Sequence, residues 1–558
     1  MNNTCKRCTA EFVIHPDEEV FLEKLGFSFG TETFHPARPV YCPDCRLQIR
    51  TCHRNEQFMY RRKSSKSGKE IVALYHEEAP WGEPYSVYSQ EEWRSDEFDP
   101  LKYVQETDFT KPFFEQYAEL QKKVPRVAMV TVANENSDFT TGTGYCKNCY
   151  LINSSEYAED CYYGKLFQKC KNSMDCCYLY DSELCYECFS VYGSYNCAFV
   201  SFSQNCQDCL LSSNLQSCSN CCLCTNLSRK KYCLLNEQLT KEGYEKRVAE
   251  LLGSHTALEA GKKHLTELNL KKIHKYANIV NCENCTGDYI ENSQNCLDCY
   301  DVNESQDCRY VTVGVNVKDN YDCSNMYLKP ELCYDTLGTI EAYNCAYCLY
   351  IFYSQRMLYC DTCYNSADCF GCIGLTRKKY CIFNTQYSAE EYNALVPRLI
   401  KHMKSTGEWG LFFPPSIATF AYNESLASEY FPMERDDAKA QGFTWREKDA
   451  REYQLQTTVL PDGIAETKDS VLKELLACTD CAKNYRIIPQ ELAFYRRQNF
   501  PIPRCCPECR QKNRMQLRNP RTLYERECKE CSEKVQTTYA PSRPESIVCS
   551  ACFLKTVY

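Results

Sequence analysis

Histidine is scarce in this sequence, with eight in 558 residues, so fingers built from two Cys and two His cannot be its theme. No run of about 18 apolar residues occurs, which removes the sequence signal of a membrane-spanning helix. The chain opens MNNTCKRC, without a charged and then apolar leader, so export lacks support and a cytoplasmic location is expected. Only 20 glycines and 22 prolines are present, against 44% hydrophobic residues, which excludes a collagen-like or wholly disordered chain. The signatures of common enzyme classes are missing too: there is no G-x-S-x-G, Walker A loop, G-x-G-x-x-G before a helix or H-E-x-x-H. The balance leans away from an enzyme.

What abounds is cysteine, 44 residues in three blocks: 5 in residues 1–52, 30 in residues 146–381 and 9 in residues 478–552. Sixteen C-x-x-C pairs can be counted. A three-residue offset is poor for a bridge within the pair but natural for two thiolates on one metal, so ligation leads over disulfides.

The outer blocks share one grammar. Cys5 and Cys8 are followed by Cys42 and Cys45 in C-P-D-C; Cys478 and Cys481 are followed by Cys506 and Cys509 in C-P-E-C. Four thiolates saturate tetrahedral Zn²⁺ and leave no position for water, so both sites are expected to be structural. Phe12, Ile14, Pro16, Glu18 and Phe21 match Tyr485, Ile487, Pro489, Glu491 and Phe494 without gaps, after which the first copy has nine extra residues. A third set, Cys528, Cys531, Cys549 and Cys552, has zinc-ribbon spacing. The same register places Ser64 and Ser67 at Cys528 and Cys531, and Ile71 and Tyr75 at Val535 and Tyr539; allowing a short insertion, Val87, Tyr88 and Glu91 then replace Val548, Cys549 and Cys552. Residues 60–94 are therefore expected to be a ribbon that has lost its metal, held by Tyr75, Trp81, Tyr85, Tyr88 and Trp93.

After each second knuckle comes an arginine row, Arg46, Arg50 and Arg54 in one copy and Arg510, Arg514 and Arg518 in the other. Residues at i, i+4 and i+8 share a helix face. Two readings fit: bonds to thiolates and carboxylates inside the module, or a stripe contacting nucleic-acid phosphates. Residues 477–529 hold 12 Lys or Arg against 5 Asp or Glu, while the whole chain carries −9. Three tetrathiolate zinc sites would take the total to about −15. Broad coating of nucleic acid is thus disfavoured and local contact at the ends is the nucleic-acid reading.

The middle block is an internal duplication. LSRKKYCLLNEQLTKEGY at 227–244 and LTRKKYCIFNTQYSAEEY at 375–392 share 10 of 18 positions at an offset of 148. Each unit divides into steps of about 12 residues marked by S-x-[ND]-C, as at Ser194–Cys197 and Ser305–Cys308, which suits β-solenoid coils. The thirty cysteines read as small hydrophobes stacked along the coils beside tyrosine ladders. The sharper alternative is that pairs such as Cys206/Cys209, Cys296/Cys299 and Cys360/Cys363 bind further Zn²⁺, Cu(I) or iron–sulfur clusters; disulfides would require an oxidising compartment. The S388-A-E-E391 capping box, followed by Tyr392, Leu395, Val396 and Leu399, predicts a helix closing the second unit. In the first unit Tyr244, Val248, Leu251 and Leu252 lead into a polar helical stretch to about 275. Phe113, Phe114, Tyr117 and Leu120 predict a helix docking on a solenoid face. The remaining terminal thiols, Cys52 beside His53 and Cys505 beside Cys506, are candidates for a cation-lowered pKa.

The expected fold class is mainly β with small α elements: terminal zinc-ribbon/treble-clef-like modules flanking two Cys-rich β-solenoid repeats with capping helices. The expected order is a zinc module with basic helix (1–59), a metal-free ribbon-like module (60–94), an α/loop connector (95–140), repeat 1 (141–239), a helical spacer (240–277), repeat 2 (278–387), a capping helix and connector (388–476), a zinc module with basic helix (477–523) and a zinc ribbon (524–558).

With the matched knuckles, the E-x-x-F helix and the C-P-x-C-R turn laid out, the terminal modules resemble the probable zinc-ribbon (treble-clef-like) family of small bacterial domains. The layout of nearly the full chain, including F412-F-P-P-S416, Y422-N-E424 and Y430-F-P432, is similar to large Cys-rich zinc-ribbon proteins of candidate-phyla (ultra-small, uncultivated) bacteria. The resemblance implies metal ligation at the twelve cysteines of the three sets and no activity. The functional expectation is a zinc-binding scaffold or interaction protein, with nucleic acid or protein as partner. A metal-buffering or sensing protein using the solenoid thiols is the alternative, and a thiol redox or metal-dependent enzyme the second alternative.

Overall fold

A computed structural model of the chain describes residues 2–249, 254–447 and 453–557. It is mainly β with some helices. Leu251 and Leu252, expected on the first closing helix, lie outside the described residues.

The middle block forms two sheets of parallel strands in which each residue pairs with the one twelve positions on. In the first stack Tyr150 pairs with Tyr162, Lys165 with Cys177, Phe189 with Ser201 and Cys221 with Cys233; in the second Tyr300 pairs with Thr312 and Leu349 with Asp361. The second stack departs from this step twice, with Glu283 opposite Gln294 and Lys318 opposite Glu331.

A three-residue rhythm underlies the twelve. Through long runs of both stacks every third residue takes a left-handed φ, as in Tyr145, Asn148, Leu151 and Ser154, and the next residue (Cys146, Cys149, Ile152, Ser155) is buried. That conformation is costly for residues with a Cβ. Each is held by a hydrogen bond one coil away, such as Asn148 N–H to Glu135 O at 3.0 Å and Asp160 N–H to Lys147 O at 2.9 Å. Asn and Asp tolerate the turn best, which explains the S-x-[ND]-C motif: Ser and Cys point inward and Asn or Asp makes the turn. Inward Ser closes the ladder from inside, Ser194 Oγ accepting the Cys206 N–H at 3.0 Å.

Four inward side chains per coil meet in a narrow bore, filled mostly by small residues, with Phe167, Met326 and Met357 the larger ones among them. At Gly164 a Cβ would stand 1.9 Å from the Cys176 carbonyl oxygen. The cysteines fill this bore with Val, Ile, Leu and Ser. C-x-x-C in the middle block is therefore two successive inward positions, a different origin from the paired ligation that the spacing suggested. Outward aromatic rings one coil apart stack, Tyr180 on Tyr192 at 4.6 Å and Tyr347 on Tyr359 at 4.7 Å.

The other elements cover the stacks crosswise. The N-terminal module packs on the second stack, Phe21 lying on Tyr321 at 4.1 Å, and its nine-residue insertion contributes a hairpin whose Phe27, Phe29 and Phe34 enter the same core. The C-terminal module packs on the first stack, where Phe494, Tyr495 and Phe500 surround Tyr186. Helix Phe113–Lys123 lies on the second stack through Phe113, Tyr117 and Leu120; Glu408 caps it, accepting the N–H groups of Phe113 and Phe114 at 2.8 and 2.7 Å. The stretch expected as a spacer is helix His255–Lys271, whose Leu258 and Gly261 pack on the first stack. Helix Ala389–Thr406 starts at Ser388 with the capping box to Glu391. Within residues 400–475, Trp409, Phe412 and Phe413 are buried in the second-stack core. No helix among the described residues is long and apolar enough to cross a membrane.

Candidate metal centres

Three groups of four cysteine sulfurs, each within 4.8 Å of one another, could hold a metal ion: Cys5, Cys8, Cys42 and Cys45; Cys478, Cys481, Cys506 and Cys509; Cys528, Cys531, Cys549 and Cys552. They are the three sets read from the sequence. Each begins with the same turn. Cys5 N–H bonds Ala10 O at 2.8 Å, Cys478 N–H bonds Lys483 O at 3.0 Å and Cys528 N–H bonds Glu533 O at 2.8 Å; Thr9, Ala482 and Ser532 supply the left-handed residue after each pair. The second pair comes from a helix N-terminus. Cys42 and Cys506 are N-caps with Pro at the first helical position, and Cys549 directly precedes helix Ser550–Val557. Free N–H groups and the helix dipole there favour thiolates.

The cross-pair sulfurs lie 3.6 Å apart for Cys8 and Cys42, 3.8 Å for Cys481 and Cys506, and 3.8 Å for Cys531 and Cys549. A tetrahedral ion with metal–sulfur bonds of about 2.3 Å needs sulfurs about 3.8 Å apart, so the donor sets fit. The first cysteine of each set has a lowered pKa. Burial raises it, but backbone N–H groups lower it further: those of Cys8, Cys42 and Arg7 at Cys5, of Cys506, Cys481 and Asp480 at Cys478, and of Cys549, Cys531 and Glu530 at Cys528. The result is about 7 at Cys478 and about 6 at Cys528.

Residues 60–94 repeat this geometry without cysteine. Strand Tyr60–Lys63 pairs antiparallel with Glu70–Ala73, as Tyr524–Glu527 pairs with Lys534–Thr537. Ser64 N–H bonds Lys69 O at 2.8 Å, Gly68 supplies the left-handed turn, and Ser65 N–H bonds Val87 O at 2.8 Å, as Lys529 N–H bonds Ile547 O at 2.9 Å. The last contact shifts the expected alignment by one residue: Ser89 and Glu92, rather than Tyr88 and Glu91, stand at Cys549 and Cys552. Ser89 caps helix Gln90–Arg94 and donates its N–H to Glu92 at 2.9 Å. Ser64 and Ser67 also bond the Glu92 carboxylate. Burial raises its pKa, but these hydrogen bonds prevail and hold it at about 2. Polar closure thus stands where the other copy has four thiols, beside packing of Tyr75, Trp81, Tyr85 and Phe420.

The arginine rows face inward. Arg46 meets Asp322 at 3.0 Å and Glu18 at 3.6 Å; Arg50 meets Asp335 at 2.8 Å; Arg54 meets Glu56 at 2.6 Å. In the other copy Arg510 meets Asp175 at 3.2 Å and Glu491 at 3.3 Å, Arg514 meets Asp175 at 3.1 Å and Glu187 at 2.9 Å, and Arg518 pairs with Asp301. All six have side chains at most 12% exposed. Phosphate contact through them would require the modules to lift off the stacks. Asp175, Glu187, Asp301, Asp322 and Asp335 sit at left-handed turn positions of the coils, where a carboxylate in place of Asn is the sequence signal of such a partner, whereas Glu18 and Glu491 lie on the modules' own helices.

The remaining terminal thiols depart from their expected chemistry. Burial pushes the Cys52 thiol well up, and it donates to Ile49 O at 3.0 Å. Burial also raises Cys505, to about 11. His53 is lowered to about 4 by burial, its ring bonding Phe413 O at 3.2 Å. Neither thiol has the lowered pKa of an activated nucleophile. The pairs Cys206/Cys209, Cys296/Cys299 and Cys360/Cys363 are buried in the bores, and among the described residues they join no four-sulfur group of the terminal kind.

No protein-family model and no curated protein matches the chain. Among solved structures, a candidate acetyltransferase from Desulfovibrio desulfuricans G20 aligns over 57% of this chain and 90% of its own at 9% identity, with a TM-score of 0.12. A likeness at that score carries no argument about fold or chemistry. The resemblance to candidate-phyla zinc-ribbon proteins rests on the sequence motifs alone.

Proposed function

We propose that this protein is a non-enzymatic, zinc-stabilised scaffold. In this reading the two parallel stacks are β-solenoids, and the terminal modules are structural Zn²⁺ sites that clasp them. The observation supporting it is the closed donor set: each cluster supplies four sulfurs at the separation tetrahedral zinc needs, leaving no ligand position for a substrate. Bores lined with unpaired thiols suit a reducing compartment, and the reading places the protein in the cytoplasm, where long covered stacks offer surface to a protein partner. Local nucleic-acid contact at the module ends is the second reading; it needs Arg46, Arg50, Arg54, Arg510, Arg514 and Arg518 to exchange carboxylates for phosphates. Elemental analysis of protein purified without chelator tests the main reading. About three zinc ions per chain, falling to about two in Cys528→Ser/Cys531→Ser, are expected; zinc well below this, or bulk iron or copper, would overturn it. Salt-dependent binding to a DNA duplex, lost in Arg510→Ala/Arg514→Ala, would promote the second.

A further inference from the structure

The two stacks end alike. Their last coils carry the triplets Arg229–Lys231 and Arg377–Lys379, at the same 148-residue offset as the rest of the duplication. In-register pairing extends each final lysine into a column of four side chains. Lys231 pairs with Ser219, Ser219 with Gln207 and Gln207 with Tyr195; Lys379 pairs with Ala367, Ala367 with Gln355 and Gln355 with Tyr343. Side chains at paired positions of parallel strands lie on one face of the sheet, so each column runs from a tyrosine to a lysine over three strand spacings, about 14 Å.

Neither end of a column is occupied from within the protein. Tyr195 and Tyr343 are each 45% exposed, and among the described residues neither ring meets another, unlike the Tyr180–Tyr192 and Tyr347–Tyr359 pairs. Earlier cations on the same columns are neutralised one coil away: Lys147 by Glu135 at 3.6 Å, Lys171 by Glu159 at 3.0 Å and Lys318 by Glu331 at 3.4 Å. The last-coil cations are not. Among the described residues Arg229, Lys230, Lys231, Arg377, Lys378 and Lys379 meet no carboxylate, and all but Lys378, which is half-buried, are exposed. A chain of net charge −9 thus keeps the same ring-to-cation face twice.

We propose that these two faces bind single-stranded nucleic acid, bases stacking on Tyr195 and Tyr343 and phosphates meeting the cations of the last coils. An aromatic platform beside unpaired cations suits a single strand, whose bases, unlike those of a duplex, have free faces. Gln207 and Gln355, exposed between ring and cation, offer amide donors and acceptors. A neutral glycan would use the rings and leave the cations idle; an acidic peptide would do the reverse. The buried arginine rows keep their carboxylates, so the modules need not lift off the stacks, and the faces do not depend on metal in the three four-cysteine clusters.

A fluorescein-labelled oligothymidylate of about 20 nucleotides is the probe, titrated by anisotropy with the full chain, purified without chelator, at about 50 and about 200 mM salt. Binding is expected, weaker by about tenfold or more at the higher salt. Tyr195→Ala/Tyr343→Ala should weaken it about tenfold or more. Arg229→Ser/Lys231→Ser/Arg377→Ser/Lys379→Ser should weaken it likewise and flatten the salt dependence. No binding at the lower salt, affinity unchanged in either variant, or equal affinity for labelled polyglutamate overturns the proposal. Every substituted side chain is exposed, and an unchanged thermal midpoint shows that the fold is kept. Should a variant misfold, the wild type decides alone: an abasic strand of equal length should bind about tenfold more weakly than oligothymidylate, and equal affinity overturns the stacking. Failure of the scaffold reading appears separately, as zinc content well below three per chain.

Discussion

Arg46 and Arg510, at opposite ends of the chain, make the same contact twice. Each reaches a glutamate on its own module's preceding helix, Glu18 or Glu491, and an aspartate on the stack it covers, Asp322 or Asp175. Arg50 and Arg514 repeat the relation one coil further, at Asp335 and Glu187. The N-terminal module holds the second stack and the C-terminal module the first, so the duplicated halves are interlocked.

Asp175 faces both Arg510 and Arg514 inside that contact. Removing one partner of a buried ion pair leaves an uncompensated charge, at about 3–5 kcal/mol. Asp175→Ala is therefore expected to loosen the C-terminal module and lower its denaturant midpoint. Arg510→Met/Arg514→Met/Asp175→Leu combined with Glu491→Gln/Glu187→Gln should recover much of that loss, because the other carboxylates that face these arginines are then neutral too. Recovery no better than the single variant would remove ion pairing as the cause.

Gly164 and Gly144 separate bore packing from general tolerance. Gly164→Ala places a methyl group 1.9 Å from the Cys176 carbonyl oxygen, whereas the nearest atom to a Cβ at Gly144 is 3.9 Å away. We expect Gly164→Ala to abolish soluble expression or lower Tm by ten degrees or more, and Gly144→Ala to leave Tm within two degrees. Thermal denaturation of the two proteins side by side checks this.

His53 makes stability depend on pH. Burial lowers its pKa from 6.5 to about 4, so the folded state binds its proton less readily than the unfolded chain. Its contribution is fully present above pH 6.5 and is lost as pH falls toward 4, on the order of 3 kcal/mol in all. His274, also lowered to about 4 by burial, acts in the same direction. Urea unfolding between pH 7 and pH 4 should show a shallower decline in His53→Gln than in the wild type; parallel declines would contradict the assignment.

Ser64, Ser67, Ser89 and Glu92 hold the positions of a four-cysteine site. Replacing all four by cysteine should add one bound zinc ion per chain, read by elemental analysis. The Glu92→Gln change alone should lower stability, since the carboxylate receives hydrogen bonds from Ser64, Ser67 and Ser89. A quadruple variant that gains no zinc would show that the backbone similarity does not extend to the ligand positions.

The sequence by itself determined the three cysteine sets, the terminal duplication and the coil length of about twelve. Ligand spacing within a knuckle is set by a local turn, and Ser388 to Glu391 closes a capping box within one helical turn, so both are legible over a few residues. The tertiary structure alone decided where the modules dock and what the arginines meet, because Asp175, Asp322 and Asp335 lie hundreds of residues from their partners. It also decided the meaning of C-x-x-C in the middle block. A three-residue offset brings two sulfurs to one metal when the chain turns as a knuckle, and lines a bore when every third residue is left-handed. Composition is the same in both cases; only the backbone path distinguishes them.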